Sequence, residues 1–589
     1  MISMRNKSVY KLLLIACLFN GTISQLNAQV APASLAPKAD ALFAGWNKPG
    51  SPGAAIGVVH QGKLVYAKGF GEANLETGAR IGSQTLFHAA SLAKQFTAYA
   101  VVLLTRQGKL SLDEDIRRYL PEVPDFNKKI TVRNLIHHTS GLRDQWALLT
   151  MAGRRMDDVI TKQHIINLIR RQKELNFEPG SEFAYSNTNY TLLAEIVSRV
   201  THQPFPDWMD AHVFEPLGMK NTLFNDDHER ILTQRAYSFY KDPNASEPVY
   251  RKSVLSYANA GATSLLTTVP DLAKWLALFR NVRAGDSTPV GQMLQRGRLS
   301  RGDTLPYSFG LFQGDYKGLA QYAHNGADAG YRSFLCYFPK ADYGFIVLSN
   351  AAEFDAGKAA YALADLYLAG QLKEEPRKAA SVSTMAPAYK IEEKVLNQYA
   401  GEYQLAPGFV LSFKREGARL VGQLPGRAPF ELVASSDTTF QMKGEQGRVT
   451  FHKSANGKVT TLTLHQNGDF AASRVEPYLP TKAEYQAYSG TYYSPELETI
   501  YTIRLQNDSL QVDHVHAGQT PLKPVAKDRL EFPLKLIPSF TLTQTVVIVR
   551  GSQEQVLGLR ISNNLVRNLW FTRLGNDFEE GQLPKNNKE

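Results

Sequence analysis

The feature that most constrains the fold is a repeat in the last third of the chain. Tyr399-Ala400-Gly401-Glu402-Tyr403 returns about 90 residues later as Tyr488-Ser489-Gly490-Thr491-Tyr492, and Val459-Thr460-Thr461-Leu462-Thr463-Leu464 returns as Val556-Leu557-Gly558-Leu559-Arg560-Ile561. A period of that size is too long for a solenoid and fits two copies of a small domain. Inside each copy, segments such as 409–413 and 501–505 place apolar residues at every second position, the period of half-buried strands. The chain therefore ends in two β-rich modules, assigned to residues 391–480 and 481–589, behind a polar linker over 373–390. Neither module contains an acid/base or metal-ligating set.

A larger unit must precede that linker, and its export is written at the N-terminus. Arg5, Lys7 and Lys11 lead into the apolar run 12–19 and then into small and polar residues ending at Ala28. This is the pattern of a secretory signal peptide over residues 1–28, and the run is too short to span a membrane. A periplasmic or secreted location follows, with a lipid anchor on Cys17, in Leu14-Ile15-Ala16-Cys17, as the alternative. Cleavage leaves Cys336 as the last cysteine, so no intrachain disulfide forms. Within Phe334-Leu335-Cys336-Tyr337-Phe338 it reads as a small buried hydrophobe. Loss of the signal lowers the net charge from +11 by three, and the remaining basic residues are mixed with acids, as in Arg154-Arg155-Met156-Asp157-Asp158. That mixture describes solvated surface and excludes a nucleic-acid footprint, while leaving a mild attraction to anionic envelope polymers.

Residues 29–372 carry the chemistry. The runs 54–60 and 63–67 flank Gln61-Gly62 and predict an opening β-hairpin. Ser91 and Lys94 then stand three apart at the head of a helix-forming run, so both lie on one helix face, with the serine in the positive field of the helix N-terminus. A serine hydroxyl needs such a neighbouring base to act as a nucleophile at neutral pH. His137-His138 are adjacent and lack metal-ligand spacing, so they predict a hydrogen-bonded loop that shapes a pocket. In the turn-rich stretch 177–190, ahead of an amphipathic helix over 192–200, Tyr185 offers a phenol whose pKa a nearby cation would lower, and Asn187 a donor and an acceptor. The stretch 322–332, with His324, Gly326 and Ala327, reads as a glycine-bearing turn beside an edge strand that brings backbone N–H groups near a substrate carbonyl.

Ser91-Leu92-Ala93-Lys94, Tyr185-Ser186-Asn187 and His324-Asn325-Gly326, in that order, resemble the three motifs of the serine hydrolases that include class C β-lactamases, penicillin-binding DD-peptidases and related esterases. The likeness extends over roughly residues 35 to 370. It implies an α/β (α+β) fold of the serine β-lactamase type, with an antiparallel sheet flanked by helices and a helical insertion, and barrel-like appended modules. It implies no cofactor and no metal. It also implies that Ser91 attacks, that Lys94 and Tyr185 share the acid and base work, and that Asn187 orients Lys94. The N–H groups of Ser91 and Ala327 would hold the oxyanion, and His324 stands where β-lactamases carry a lysine. A mostly neutral histidine there weakens the anchor for a β-lactam carboxylate. The implied substrate is a small molecule or peptide, cell-wall-derived peptides among them. Its acyl donor (an ester, D-amino-acid peptide, stem peptide or β-lactam) and the oligomeric state are not set by the sequence. The alternative is a penicillin-recognising or wall-sensing binding protein with negligible turnover. Because all these residues precede position 330, the tail is expected to be dispensable for the chemistry, with residues 29–372 sufficient for activity.

Overall fold

The computed structural model describes residues 32–373, 389 and 391–575, apart from 246–248, 407–408, 425–428, 444–446, 467, 476–477, 515–517 and 538–539. The signal segment with Cys17 and nearly all of the 373–390 linker lie outside the described residues. Among those residues no helix is long and apolar enough to cross a membrane.

The portion before the linker is built on a six-stranded sheet formed by β1 (Ala54–His60), β2 (Lys63–Phe70), β3 (Phe312–Tyr316), β4 (Leu319–Asp328), β5 (Tyr331–Phe338) and β6 (Tyr343–Ser349). Their spatial order is β3-β4-β5-β6-β1-β2, and every pairing is antiparallel. The predicted hairpin is β1–β2. Both faces of the sheet are covered, so its central strands are apolar on both sides. Ile56, Val58, Phe345, Val347 and Cys336 pack with Leu363 and Ala364 of the Ala356–Tyr367 helix and with Phe43 of the Ala36–Phe43 helix. Ala55, Val59, Leu335, Ile346 and Leu348 face the larger core on the other side, where Val269, Leu272 and Leu276 of the Val269–Ala277 helix lie. That larger core belongs to the helical insertion between β2 and β3. Cys336 is fully buried, as its apolar run predicts, and burial pushes its thiol pKa upward.

The first tail module is a closed eight-stranded barrel from Gly401–Ala406 to Asp469–Val475, filled by Tyr399, Tyr403, Phe413, Phe440 and Phe451. The second is a nine-stranded sheet whose end strands, Gly518–Pro521 and Lys523–Ala526, are one chain segment broken at Leu522. It is therefore nearly a barrel. Its core residues Tyr492, Tyr501, Phe532 and Phe571 belong to the same continuous apolar cluster as Trp146, Leu149 and Met151 of the portion before the linker, whereas the first barrel has a core of its own.

Candidate active site

Ser91 stands in a single 3-10 turn, Ala90–Leu92, that runs directly into the Ala93–Arg106 helix, a segment free of glycine and proline. The residue before it, Ala90, is held at φ +50°, a backbone conformation that costs an L residue about 1–2 kcal/mol and that only firm surroundings sustain. Those surroundings are β4 and β5. Ser333 Oγ donates to Ala89 O at 2.7 Å, and a Cβ on Gly326 would stand 2.6 Å from Ala89 O and 2.2 Å from Ser333 Oγ. Glycine at 326 is thus what lets β4 press against the serine turn. This corrects the expected geometry: His324, Asn325 and Gly326 lie inside strand β4, one strand in from the edge, and the turn comes later, at Ala329-Gly330.

Lys94 is fully buried, and its Nζ lies 3.0 Å from Ser91 Oγ, 2.9 Å from Asn187 Oδ1 and 2.7 Å from Ala262 O. Burial drives its pKa from 10.5 down to about 7, with Asp328 and Asp144 opposing the shift through their charge. Tyr185 closes the group. Its ring lies 4.9 Å from Lys94 Nζ and its hydroxyl bonds the Ser91 side chain. Here the sequence expectation is reversed: burial raises the phenol pKa well above its ordinary value, and the hydrogen bond with Ser91 only partly offsets this. At neutral pH the phenol keeps its proton, and the lysine is the group brought into the working range.

Asn187 is not in a loop. The expected helix over 192–200 begins earlier, spanning Asn187–Thr201, because the polar residues of its first turn all find partners. Asp144 Oδ2 accepts from both the backbone N–H and Nδ2 of Asn187, at 2.7 and 2.8 Å, Thr188 Oγ1 donates to Arg143 O, and Ser140 Oγ donates to Asn189 Oδ1. The other Asp144 oxygen caps the Gln145–Met151 helix through Trp146 N and Ala147 N. One carboxylate therefore starts two helices and fixes which way the Asn187 amide points. Sequence reasoning missed Asp144. Its signal was an aspartate three residues after Gly141, opening a helix.

His138, at φ +56°, is buried with its ring 4.3 Å from that of Tyr185, and its Nδ1 accepts from Ser186 N–H at 3.2 Å, so it braces the Tyr185 loop. Burial keeps it neutral, and His137 packs on Phe309. Among the described residues no cluster is arranged to hold a metal.

His324 faces the protein interior. Its Nδ1 lies 2.6 Å from Asn325 O and its ring packs near Tyr185, Tyr307 and Phe312. Burial lowers its pKa to about 3, so it carries no charge at neutral pH, and it does not line the cavity in front of Ser91. Strand alternation sends Asn325 and Ala327 to that cavity instead, together with Asp328 and Arg332. Asp328 accepts from Thr263 Oγ1, and burial raises its pKa. The cavity holds about 530 Å³, and its apolar lining includes Trp146, stacked on Tyr257 at 4.6 Å, Met156 and Leu565. Leu565 belongs to the second tail module, so a side chain from the tail lines the cavity although every residue given a catalytic role lies before position 330.

Comparison with known proteins matches residues 31–368 to the family described as Beta-lactamase, and residues 386–477 to a domain of unknown function (DUF3471). Penicillin-binding protein 4* of Bacillus subtilis (strain 168) is 26% identical over 409 residues, spanning 66% of this chain and 88% of that protein. Protein flp of Staphylococcus aureus (strain MW2) is 28% identical over 308 residues, 51% of this chain and 59% of that one, so this chain spans less than two thirds of flp. In fold, the chain is similar to the octameric penicillin-binding protein homologue from Pyrococcus abyssi, with a TM-score of 0.50 at 23% identity over 75% of this chain and 99% of that one.

Proposed function

The chain belongs to the Beta-lactamase family, and from that premise we propose that it is an exported serine hydrolase cleaving esters or amides through an acyl-enzyme on Ser91. The arrangement of partners around Lys94 Nζ carries the proposal. Ala262 O can only accept, and so can Asn187 Oδ1, because Asp144 holds the Asn187 amide nitrogen on its other side. A neutral Lys94 donates its two protons to these oxygens, and its lone pair is left facing the Ser91 hydroxyl. That is the geometry of a general base on a nucleophile.

In the proposed cycle Lys94 takes the Ser91 proton as Oγ bonds the substrate carbonyl carbon. The oxyanion is held by the N–H groups of Ser91 and Ala327. The Tyr185 phenol then gives its proton to the departing oxygen or nitrogen as the bond to carbon breaks, and the Lys94 ammonium reprotonates it. Water, deprotonated by the same lysine, then attacks the acyl carbon, and as the bond to Ser91 Oγ breaks the Lys94 ammonium returns that proton to Oγ, which releases the acid and restores Ser91. With His324 neutral and turned inward, we rank esters and peptide-like amides ahead of β-lactams, whose carboxylate would have Arg332 as its cation at the cavity.

The test is a fluorophosphonate label together with a chromogenic short-chain ester. The label maps to Ser91, and Ser91→Ala loses it along with at least about 10⁴-fold in kcat. Labelling without turnover would indicate a binding protein instead. The pH profile adds a second check. Below pH 7 Lys94 is an ammonium with no lone pair and above it a free amine, so kcat/KM for an uncharged ester rises about tenfold from pH 6 to 8. A flat or falling profile would remove Lys94 as the base.

A further inference from the structure

Among the described residues, the second tail module reaches the cavity through one loop, between the strands Val556–Ser562 and Leu569–Arg573. The loop is stiffened by Asn563, whose Oδ1 accepts from the N–H groups of Leu565 and Val566 at 2.8 and 2.9 Å and whose Nδ2 donates to Gln544 Oε1 at 3.0 Å. It is also fastened to the hydrolase portion along its length. Leu565 O accepts from Asn176 Nδ2 at 2.9 Å and from the Asp144 N–H at 3.3 Å, and the Arg567 N–H donates to Asn176 Oδ1 at 2.7 Å. Arg567 O accepts from Nε and Nη2 of Arg143 at 3.1 and 2.7 Å. The Arg143 side chain is wholly buried and pairs with Glu496 of the same module at 2.8 Å. A loop held at so many points is a fixed wall, and Asp144, whose carboxylate holds Asn187, is one of those points.

Resting on the reading of Ser91 as an acylated nucleophile, we infer that Leu565 is a specificity residue supplied by the C-terminal module. With Trp146, Met156 and Tyr257 it forms an apolar subsite that receives a hydrocarbon or aromatic group of the substrate. The chemistry of the wall supports this. Of the polar side chains at the cavity, Ser91 and Tyr185 are the reacting pair, Asp144 and Asn187 are taken up by each other, by Lys94 and by the helix that Asp144 caps, and Asn325, Asp328 and Arg332 are on β4 and β5, whereas the apolar surface comes from the rings of Trp146 and Tyr257, the thioether of Met156 and the isobutyl group of Leu565. The substrate class is then esters or amides with an apolar side group of moderate size next to the scissile bond.

The test uses the full chain and two series of esters, one varying the acyl group on a fixed p-nitrophenol (acetyl against phenylacetyl) and one varying the alcohol on a fixed acetyl group (methyl against benzyl). Leu565→Trp, which fills the subsite, lowers the kcat/KM ratio of the bulky to the small substrate at least tenfold in one series. Leu565→Ala shifts the same ratio at least threefold the other way. Should Leu565→Trp fail to fold, Leu565→Cys is folded first and then capped with a benzyl thiosulfonate, which adds the same bulk to a finished protein. Ratios that stay within twofold in both series overturn the inference. Failure of the underlying reading looks different: wild-type Ser91 takes no fluorophosphonate label, whatever stands at 565.

Discussion

The two tail modules share a local design and differ in what lies outside it. In the first, Tyr403 Oη donates to Tyr399 O, Gly401 sits at φ +149°, and Arg474 reaches across to donate to Gln398 O and Ala400 O. In the second, Tyr492 Oη donates to Tyr488 O, Gly490 sits at φ +150°, and Arg573 donates to Ala487 O and Ser489 O. The repeated Tyr-x-Gly-x-Tyr is therefore a clasp. It leaves the guanidinium within 3.2 Å of where a Cβ would stand at Gly401 and within 3.1 Å at Gly490, so glycine suits both positions. Yet among the described residues only the second copy merges its core with the hydrolase, buries a charge pair against it and sends a side chain to its cavity. Sequence duplication copied the clasp and left the neighbours free to diverge.

The largest effect separating the two modules should come from removing each in turn. A chain ending at residue 480 uncovers the apolar face formed by Trp146, Leu149 and Met151 and leaves Arg143 without its carboxylate, so it should yield no soluble monomer on gel filtration. Replacing 391–477 by a flexible glycine-serine linker of about 20 residues should leave ester hydrolysis within about threefold. A soluble, active chain ending at 480 would erase the distinction. Smaller, but still large for one side chain, is Glu496→Gln, which strands a buried guanidinium and should cost about 3–5 kcal/mol by urea unfolding. Glu402 in the first barrel pairs with Lys523 at the surface, and Glu402→Gln should cost under about 1 kcal/mol. Equal costs would mean that both modules are docked alike. The smallest effect comes from the clasp. Tyr403→Phe and Tyr492→Phe each remove one buried hydrogen bond, worth about 1 kcal/mol, but only the second should shift the unfolding midpoint of the hydrolase as read by loss of Ser91 labelling. A shift with Tyr403→Phe would couple the first barrel to the site.

What the sequence determined by itself was local or periodic. The Ser91–Lys94 pair follows from helix spacing, the β1–β2 hairpin from two apolar runs around Gln61-Gly62, and the duplicated tail from its own repetition, and all three stand in the structure where the residues put them. Burial decided the rest, and burial is a property of the assembled core. It raised the Tyr185 phenol pKa, which the sequence led one to expect lowered, and lowered that of Lys94, by stripping water from both, which favours the neutral amine and the neutral phenol alike. It turned His324 inward, because Gly326 lets β4 lie against the serine turn and alternation then gives Asn325 and Ala327 to the cavity. The helix beginning at Asn187 was hidden because its cap, Asp144, comes from 43 residues away. The wall at Leu565 was hidden for the same reason: a side chain more than two hundred positions beyond β4 joins the site through backbone hydrogen bonds, and those leave no mark in a sequence pattern until the chain has folded.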